Sequence, residues 1–282
     1  MQKTNNIDIN QQGLTGEQYD ELEKIEKKTK DTRTPEENEK LAELKKAKEQ
    51  RSAAISILRG ISIRMPLLIY GAELTGNIKE VTLENFADLI DDLSWEEFMP
   101  KGVNKVVFHS FRKYYDPDIF LAAGKRIRAL AEAADAMSVE QRIAQISAIF
   151  NSFRNPDKET VLTPWRVVNM HMSDCLGGYC FYDKDFTKEL DEPRFVEQIN
   201  VTNNVFTPNA KILEINSKSG LYPLYVTYSI YRAKLQNLLF ACDSIEEQQR
   251  VWDEVVRENI FVICKTQMAK SITRRTLLGF RN

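Results

Sequence analysis

One turn of the chain carries the clearest set of residues that could bind a ligand. Glu214 lies at the end of the short apolar segment 211–215, and the small or polar residues Asn216, Ser219 and Gly220 follow before a helical pattern begins. A strand-end carboxylate can meet the polar groups of a nucleotide-like ligand, small residues let the backbone approach it, and a helix N-terminus supplies N–H donors. The turn predicts such a site, although an ordinary strand-to-helix loop could use the same residues.

A second group of residues has the chemistry of metal ligands. His171, Cys175 and Cys180 are spaced H-x3-C-x4-C, and no fourth ligand is apparent. Structural zinc sites need four closed ligands, so we predict no metal site. Cys175 and Cys264 also lack the nearby His or electropositive turn that activates a thiol as a nucleophile.

Positive charge is concentrated near the end of the sequence. Arg274, Arg275 and Arg281 lie close to Lys265 and Lys270. We interpret this cluster as a solvated face; the alternative is a surface that contacts DNA or another part of a larger protein.

The elements around the Glu214 turn have the pattern of an α/β fold. Hydrophobic periodicity predicts buried strands at 211–215 and 259–264, helices at 221–239 and 243–258, and a further helix from Met268. Upstream, Thr163-Pro164 opens a helix that Gly177-Gly178 closes, and residues 182–204 are expected to be irregular. Strand–helix–helix–strand–helix is the beginning of a doubly wound sheet. Two strands are too few for a complete domain of this kind.

The N-terminal half is predicted to be mainly helical. Residues 1–13 are polar and expected to be disordered, and 18–30 with 35–52 form a charged helical hairpin that Thr34 caps. This hairpin is interpreted as a solvated protrusion, with a coiled-coil arm as the alternative. We divide the chain into 1–54, a helical coupler at 55–157, and the α/β segment 158–282.

Within the coupler, the apolar run 61–70 is predicted as a strand, and 82–90 as a capped amphipathic helix. Helices are also predicted at 118–137 and 138–153. The apolar stripe predicted for the first of these consists of Ile119, Phe120, Ala123, Ile127, Leu130 and Ala134.

Composition limits the classes of function. The 282 residues are 43% hydrophobic and 28% charged, with a formal net charge of −2. Nucleic-acid-binding domains usually carry an excess of Lys and Arg, so any contact with DNA must use a local patch. No run of roughly 18 apolar residues and no signal peptide is apparent. We therefore expect a cytoplasmic protein without a membrane contact, whose four cysteines are reduced.

Three segments of the chain resemble motifs of the γ-type N6-adenine DNA methyltransferases and occur in the same order as in that family. Leu213, Glu214, Asn216, Ser219 and Gly220 are similar to that family's S-adenosylmethionine motif, Leu-Asp-Pro-Ala-Cys-Gly-Ser-Gly. The segment 162–170, which contains Thr163-Pro164, resembles the motif whose helix closes over the cofactor. The segment 260–277 follows the hydrophobic frame of the next strand and helix.

Residues 55–282 as a whole resemble bacterial restriction–modification proteins in which a nuclease, a DEAD/DEAH-type helicase and an adenine methylase are fused. The resemblance implies a helicase-to-methyltransferase junction whose partners are DNA and the remaining helicase and methyltransferase segments. It also implies that Thr163, Pro164, Glu214, Asn216, Ser219 and Gly220 bind S-adenosylmethionine.

The sequence departs from this family at three places. Lys218 replaces the first glycine of the motif and would project into or beside the cofactor pocket, and Cys264 replaces the ribose-binding acid. The catalytic Asn/Asp-Pro-Pro-Tyr/Phe motif, which holds a flipped adenine, is missing. Asn155-Pro156-Asp157 and Asp116-Pro117-Asp118 lack its second proline and its aromatic residue. We therefore assign no catalytic residue and expect no methyl transfer by this chain alone. The competing hypothesis is a non-catalytic structural coupler or DNA-contacting module without a cofactor.

Overall fold

The computed structural model describes residues 16–153, 162–238 and 242–281. The predicted disordered segment 1–13, the Asn155-Pro156-Asp157 turn and the predicted helix end at Leu239 lie outside these ranges. The described chain is mainly helical with two small sheets. It divides into a hairpin unit, Met1–Ser62, and a main unit, Ile63–Asn282.

The hairpin unit is the predicted pair of charged helices. α1 (Gly16–Glu26) and α2 (Pro35–Ser62) pack through a small apolar cluster. Its buried members are Leu22, Ile25, Leu41 and Leu44. Thr34 caps α2 as predicted, because its hydroxyl accepts from the Glu37 N–H while the Glu37 carboxylate accepts from the Thr34 N–H.

The main unit contains ten α-helices and four strands among its described residues. Its helices are α3 (Met65–Gly71), α4 (Asp92–Phe98), α5 (Lys105–Phe111), α6 (Pro117–Ala133), α7 (Val139–Ser152), α8 (Trp165–Cys175), α9 (Thr202–Val205), α10 (Leu221–Gln236), α11 (Ile245–Asn259) and α12 (Gln267–Leu278). Its strands are β1 (Gly178–Tyr182), β2 (Glu189–Val196), β3 (Ile212–Ile215) and β4 (Ile260–Ile263). The predicted helices at 118–137, 138–153, 243–258 and from Met268 are confirmed within a few residues.

The strand predicted at 61–70 is wrong. Residues 65–71 form α3, a fully buried helix that packs against α6 and α12. A short apolar run does not show whether it is a strand or a buried helix. Pro66 lies in the first turn of α3, where a missing N–H costs nothing.

The helix predicted at 82–90 is replaced by a series of turns. Its cap is present, since the Thr82 hydroxyl accepts from the Asn85 N–H and the Asn85 side chain accepts from the Thr82 N–H. Leu83, Phe86 and Ile90 are buried as an amphipathic helix would bury them. Local capping and burial are satisfied here without a regular helix.

α6 and the turn after it bury only part of the predicted stripe, namely Phe120 and Ala134. Ile119 and Leu130 are exposed, whereas Phe120, Gly124 and Ala131 face the core. Glycine and alanine on the packed side allow close approach to α3, so the larger residues are left towards solvent. Asp116 and Pro117, which superficially resembled a catalytic motif, begin α6: the Asp116 carboxylate accepts from the N–H groups of Asp118 and Ile119.

The segment 182–204, predicted to be irregular, contains a strand. β1 and β2 form an antiparallel pair with a register shift between Cys180 and Tyr182. β1 is fully buried. β2 is polar and half exposed, so it lacks the apolar run that would have predicted it.

β3 and β4 form the predicted parallel pair, joined through α10 and α11. They are not the buried strands expected, because alternate side chains are open to solvent: Leu213, Ile215, Phe261 and Ile263 are each about half exposed or more. One face of this two-stranded sheet packs on the main unit, and the other is uncovered in the described part of the chain.

The helical stretch Pro35–Gly71 contains an 18-residue window whose length and mean hydropathy (1.4) would allow it to cross a membrane. The window is not an uninterrupted apolar run, since Arg59 and Arg64 lie in the apolar part of the stretch. Core helices of water-soluble proteins pass the same test, so this stretch is weak evidence for a membrane span.

Candidate functional site

The turn between β3 and α10 lies at the carboxyl ends of both parallel strands. The backbone N–H groups of Asn216 and Ser217 donate to the carbonyl of Ile263, at 2.7 and 3.1 Å. The turn that follows β3 is therefore fixed to the last residue of β4. This is the edge at which open α/β sheets bind their ligands.

Glu214 is the chemically distinctive residue of this region. Its Oε2 atom is buried and has no hydrogen-bond partner. Burial raises the pKa of the Glu214 carboxyl to about 7, and a hydrogen bond from the Ser217 hydroxyl opposes that shift only in part. A carboxyl group with this pKa exchanges its proton near neutral pH, so it can either accept or donate a hydrogen bond.

A mostly apolar cavity of about 290 Å³ adjoins Glu214. It lies between β3, β4 and two helices. Its lining includes Met172 of α8 and Leu176 directly after that helix, together with Tyr222 and Val226 of α10. These apolar neighbours explain the desolvation of the carboxylate. A ligand with an N–H or O–H group and an apolar body would match this surface.

α12 holds the β3–α10 turn in place through hydrogen bonds. The Thr273 hydroxyl donates to Ser217 Oγ at 3.1 Å, and the Thr276 hydroxyl donates to the Ser219 carbonyl at 2.6 Å. Ser219 Oγ accepts from the Leu221 N–H at the start of α10. Ser217, Ser219 and Gly220 are consequently buried, while Asn216 is exposed.

A second cavity, of about 390 Å³, lies beyond the ends of the strands. Asn216 and Lys218 line it from the turn, Lys265 and Thr266 from the end of β4, and Glu97 from α4. The Lys218 ammonium lies 3.5 Å from a carboxylate oxygen of Glu97, whose side chain is almost fully buried. Lys218 thus contacts α4 and lies beside this cavity.

Cys264 lies directly after β4. Its thiol is 3.8 Å from the Thr273 hydroxyl, to which it can donate, and burial raises the pKa of the thiol. A neutral thiol cannot accept two hydroxyl groups as a carboxylate does. The residue at the expected ribose position therefore does not fit that role.

The predicted site residues fall into two groups. Glu214, Asn216, Ser219 and Gly220 belong to one strand and turn. Thr163 and Pro164 precede α8, which is 11 residues or about 16 Å long, and it is the opposite end of this helix that reaches the Glu214 cavity. The structure does not bring Thr163-Pro164 to that cavity.

Two residues of the region were missed from the sequence. Tyr222 lines the Glu214 cavity and its hydroxyl lies 3.1 Å from Nδ1 of His171, and Glu97 lines the second cavity. Tyr222 could have been found from its place in the first turn of the helix after Gly220. Glu97 could not, because about 120 residues separate it from the turn.

The cysteines do not form a cluster. Cys175 is exposed and Cys180 is buried in β1, and all four thiols are free. In the ranges that the structure describes, no group of three or more His, Cys, Asp or Glu side chains is arranged to hold a metal ion.

Comparison of the chain with protein-family models, curated proteins and solved structures found no significant match.

Proposed function

We propose that residues 158–282 bind S-adenosylmethionine beside the β3–α10 turn, as the cofactor-binding half of an N6-adenine DNA methyltransferase in a restriction–modification protein. The observation that carries this proposal is the buried, unpartnered Oε2 of Glu214 on a cavity beside two parallel strands. A buried polar atom without a partner is costly, and a ligand donor would satisfy it.

The cofactor fits the region in part. Glu214 would accept a hydrogen bond from the ammonium or a hydroxyl group of the ligand, and the apolar lining would bury its less polar parts. Cys264 does not replace the ribose-binding acid, and Lys218 adds a charge next to the turn. When bound, S-adenosylmethionine supplies an activated methyl group. The sequence contains no Asn/Asp-Pro-Pro-Tyr/Phe motif to present an adenine to it, so we propose binding without methyl transfer by this chain.

Titration calorimetry with S-adenosylmethionine tests the proposal. We expect the wild-type chain to bind, and Glu214→Gln, which keeps the shape of the side chain and removes its charge, to bind at least about tenfold more weakly. The matched control is Glu246→Gln on the exposed face of α11, which makes the same charge change and should bind as the wild type does. Absence of heat and of a thermal shift at millimolar ligand would exclude the cofactor.

Proton linkage gives an independent readout. Only the ionised carboxylate attracts a cationic ligand, so affinity should rise about tenfold per pH unit below pH 7 and level off above it. Glu214→Gln should remove this dependence. An identical pH profile for both proteins would contradict a role of Glu214 in binding.

A second candidate function is a non-catalytic coupler within a DNA-processing protein. It is favoured by the way the turn satisfies its own polar groups: Asn216 and Ser217 donate to Ile263, and Lys218 pairs with Glu97. In that case Glu214→Ala alters stability alone, and S-adenosylmethionine binds neither protein.

A further inference from the structure

An arginine-rich cavity lies on a different part of the main unit. It has a volume of about 290 Å³ and is formed by α6, the loop after α3, and the end of α12. Its cationic side chains are Arg128, Arg274, Arg275 and Arg281. Glu73, which is exposed, is the one acid that lines it among the described residues. We call it the arginine cavity.

Three of these four arginines lack a carboxylate partner. Arg281 makes a two-point ion pair with Asp253, at 2.9 and 3.2 Å. Arg128, Arg274 and Arg275 have no carboxylate oxygen within 4 Å in the described ranges. The carboxylates that act on Arg128 and Arg275, those of Glu132 and Glu73 respectively, do so from beyond ion-pair distance.

Two of the guanidinium groups are held close together. Arg128 and Arg275 both donate to the Ala72 carbonyl at the end of α3, at 2.9 and 2.8 Å. Both also lie over the ring of Phe280, with Cζ-to-centroid distances of 5.1 and 4.4 Å. Their positions are therefore fixed before any ligand arrives.

Capping α3 does not use all the donors of these side chains. A guanidinium has five N–H groups. Only Nη1 of Arg128 and Nη1 and Nη2 of Arg275 donate to the backbone carbonyls of residues 69–72, so Nε of both side chains and Nη2 of Arg128 have no acceptor in the described ranges. Burial, with the charge of Arg128 adding to it, lowers the pKa of Arg275 to about 10. Both groups stay charged at neutral pH, and at Arg275 the repulsion from Arg128 is larger than the attraction of Glu73.

We propose that the arginine cavity binds a phosphate group. Planar guanidinium forks match the oxygen geometry of phosphate and form charge-assisted hydrogen bonds with it. Arg128 and Arg275 provide the fixed part of the site, and the exposed Arg274 also lines it. The phosphate belongs either to a nucleic-acid backbone or to a small free molecule, and both sources offer the same chemistry.

Arg274→Gln is the informative variant, because no contact of Arg274 supports the fold in the described part of the chain. The matched control is Lys270→Gln, one turn earlier on α12, which is exposed and outside the cavity. Arg128→Lys keeps a charge that can cap α3 but removes the fork. Circular dichroism first establishes that each variant is folded.

The first experiment measures binding of pyrophosphate by thermal unfolding and calorimetry, with NaCl at equal ionic strength as the reference. The second experiment follows a labelled 20-base-pair DNA duplex by fluorescence anisotropy. For whichever of the two ligands the wild type binds, we expect Arg274→Gln to weaken binding at least about tenfold and Arg128→Lys to weaken it as well. Lys270→Gln should change the affinity less than about twofold.

The two experiments identify the source. Binding of the duplex, competed by pyrophosphate, assigns the cavity to a nucleic-acid backbone, and binding of pyrophosphate alone assigns it to a small phosphate ligand. The proposal is overturned if neither ligand binds beyond the effect of salt, or if Lys270→Gln weakens binding as much as Arg274→Gln.

Discussion

At the scale of single residues, Glu214 and the arginines of the arginine cavity are groups of opposite charge that lack complementary partners. The Oε2 atom of Glu214 has no hydrogen-bond donor, although Ser217 donates to the carboxyl group, whereas Arg128 and Arg275 have no ion-pair partner within 4 Å in the described ranges. Each group lies next to a cavity. A buried polar atom without a partner and two cations held close together both reduce stability, and such groups are candidates for functional sites.

The raised pKa of Glu214 predicts how stability depends on pH. The folded protein holds the proton more tightly than the unfolded chain, since the carboxyl pKa is about 7 in the fold and 4.5 for a glutamate in water. The contribution of this residue therefore becomes less favourable as pH rises from about 4.5 to 7. Complete burial would make the difference about 3 kcal/mol, and partial exposure reduces our expectation to about 1–2 kcal/mol.

Urea unfolding of the wild type and Glu214→Gln at pH 5 and pH 8 measures this contribution. We expect the variant to gain about 1–2 kcal/mol of unfolding free energy over the wild type between the two pH values. Glu246→Gln controls for general charge effects. An equal pH dependence in all three proteins would show that Glu214 titrates normally.

Sequence alone could predict Glu214 but not its environment. A carboxylate after an apolar segment and before small residues is a local pattern. The missing partner and the raised pKa depend on Met172, Leu176 and Tyr222, which reach the carboxyl group through the packing of α8 and α10. The same holds for the Lys218–Glu97 pair. Local sequence contains none of this information.

At the scale of elements, the β3–α10 turn depends on Gly220. It has φ +76°, and a Cβ atom there would lie 3.0 Å from both Thr273 Cα and Thr276 Cβ on α12. Gly102 has a similar φ of +85°, but nothing lies within 4 Å of its Cβ position. A side chain would strain the backbone at both glycines, but it would crowd neighbouring atoms only at Gly220.

Alanine substitution should therefore cost different amounts at these positions. We expect Gly102→Ala to lower the unfolding free energy by about 1 kcal/mol through its backbone conformation, and Gly220→Ala by about 2–4 kcal/mol because α12 must also move. Chemical denaturation of both variants measures the difference. Equal losses of unfolding free energy in the two variants would show that α12 can shift without an energetic penalty.

Elements were predicted where the pattern was long or capped. The Thr34 cap, the hairpin helices and the parallel β3–β4 pair were all indicated by local sequence. The errors at 61–70 and 182–204 have a common cause: neighbours decide the structure there. α3 is helical although its apolar run resembles a strand, and the polar β2 is a strand because it pairs with the buried β1.

At the scale of the whole molecule, the β3–β4 sheet has an apolar face that the described residues leave uncovered. Leu213 lies opposite Phe261, and Ile215 opposite Ile263, so the four exposed side chains are contiguous. Parallel sheets are normally covered on both faces. Contiguous apolar patches bind hydrophobic probes.

We expect the protein to enhance the fluorescence of anilinonaphthalene sulfonate and Ile215→Lys to reduce that enhancement by about half. The lysine should change the unfolding free energy by no more than about 0.5 kcal/mol, because Ile215 is 70% exposed. Ile199→Lys, at a residue that is 83% exposed and outside the patch, is the control. Equal dye signals from all three proteins would contradict this prediction.

The position of α12 has a consequence for synthesis of the protein. Its residues bond to α3 and α4 over long stretches of sequence: Ser271 donates to the Gly71 carbonyl, and the Met268 N–H donates to Ser94 Oγ. A ribosome adding 5–20 residues per second needs about 10–40 s to travel from α3 to α12. During that interval the apolar side chains of α3 cannot pack against α12, which is one of the two helices that cover them in the folded protein. We therefore expect the nascent main unit to be prone to aggregation until its last described helix emerges.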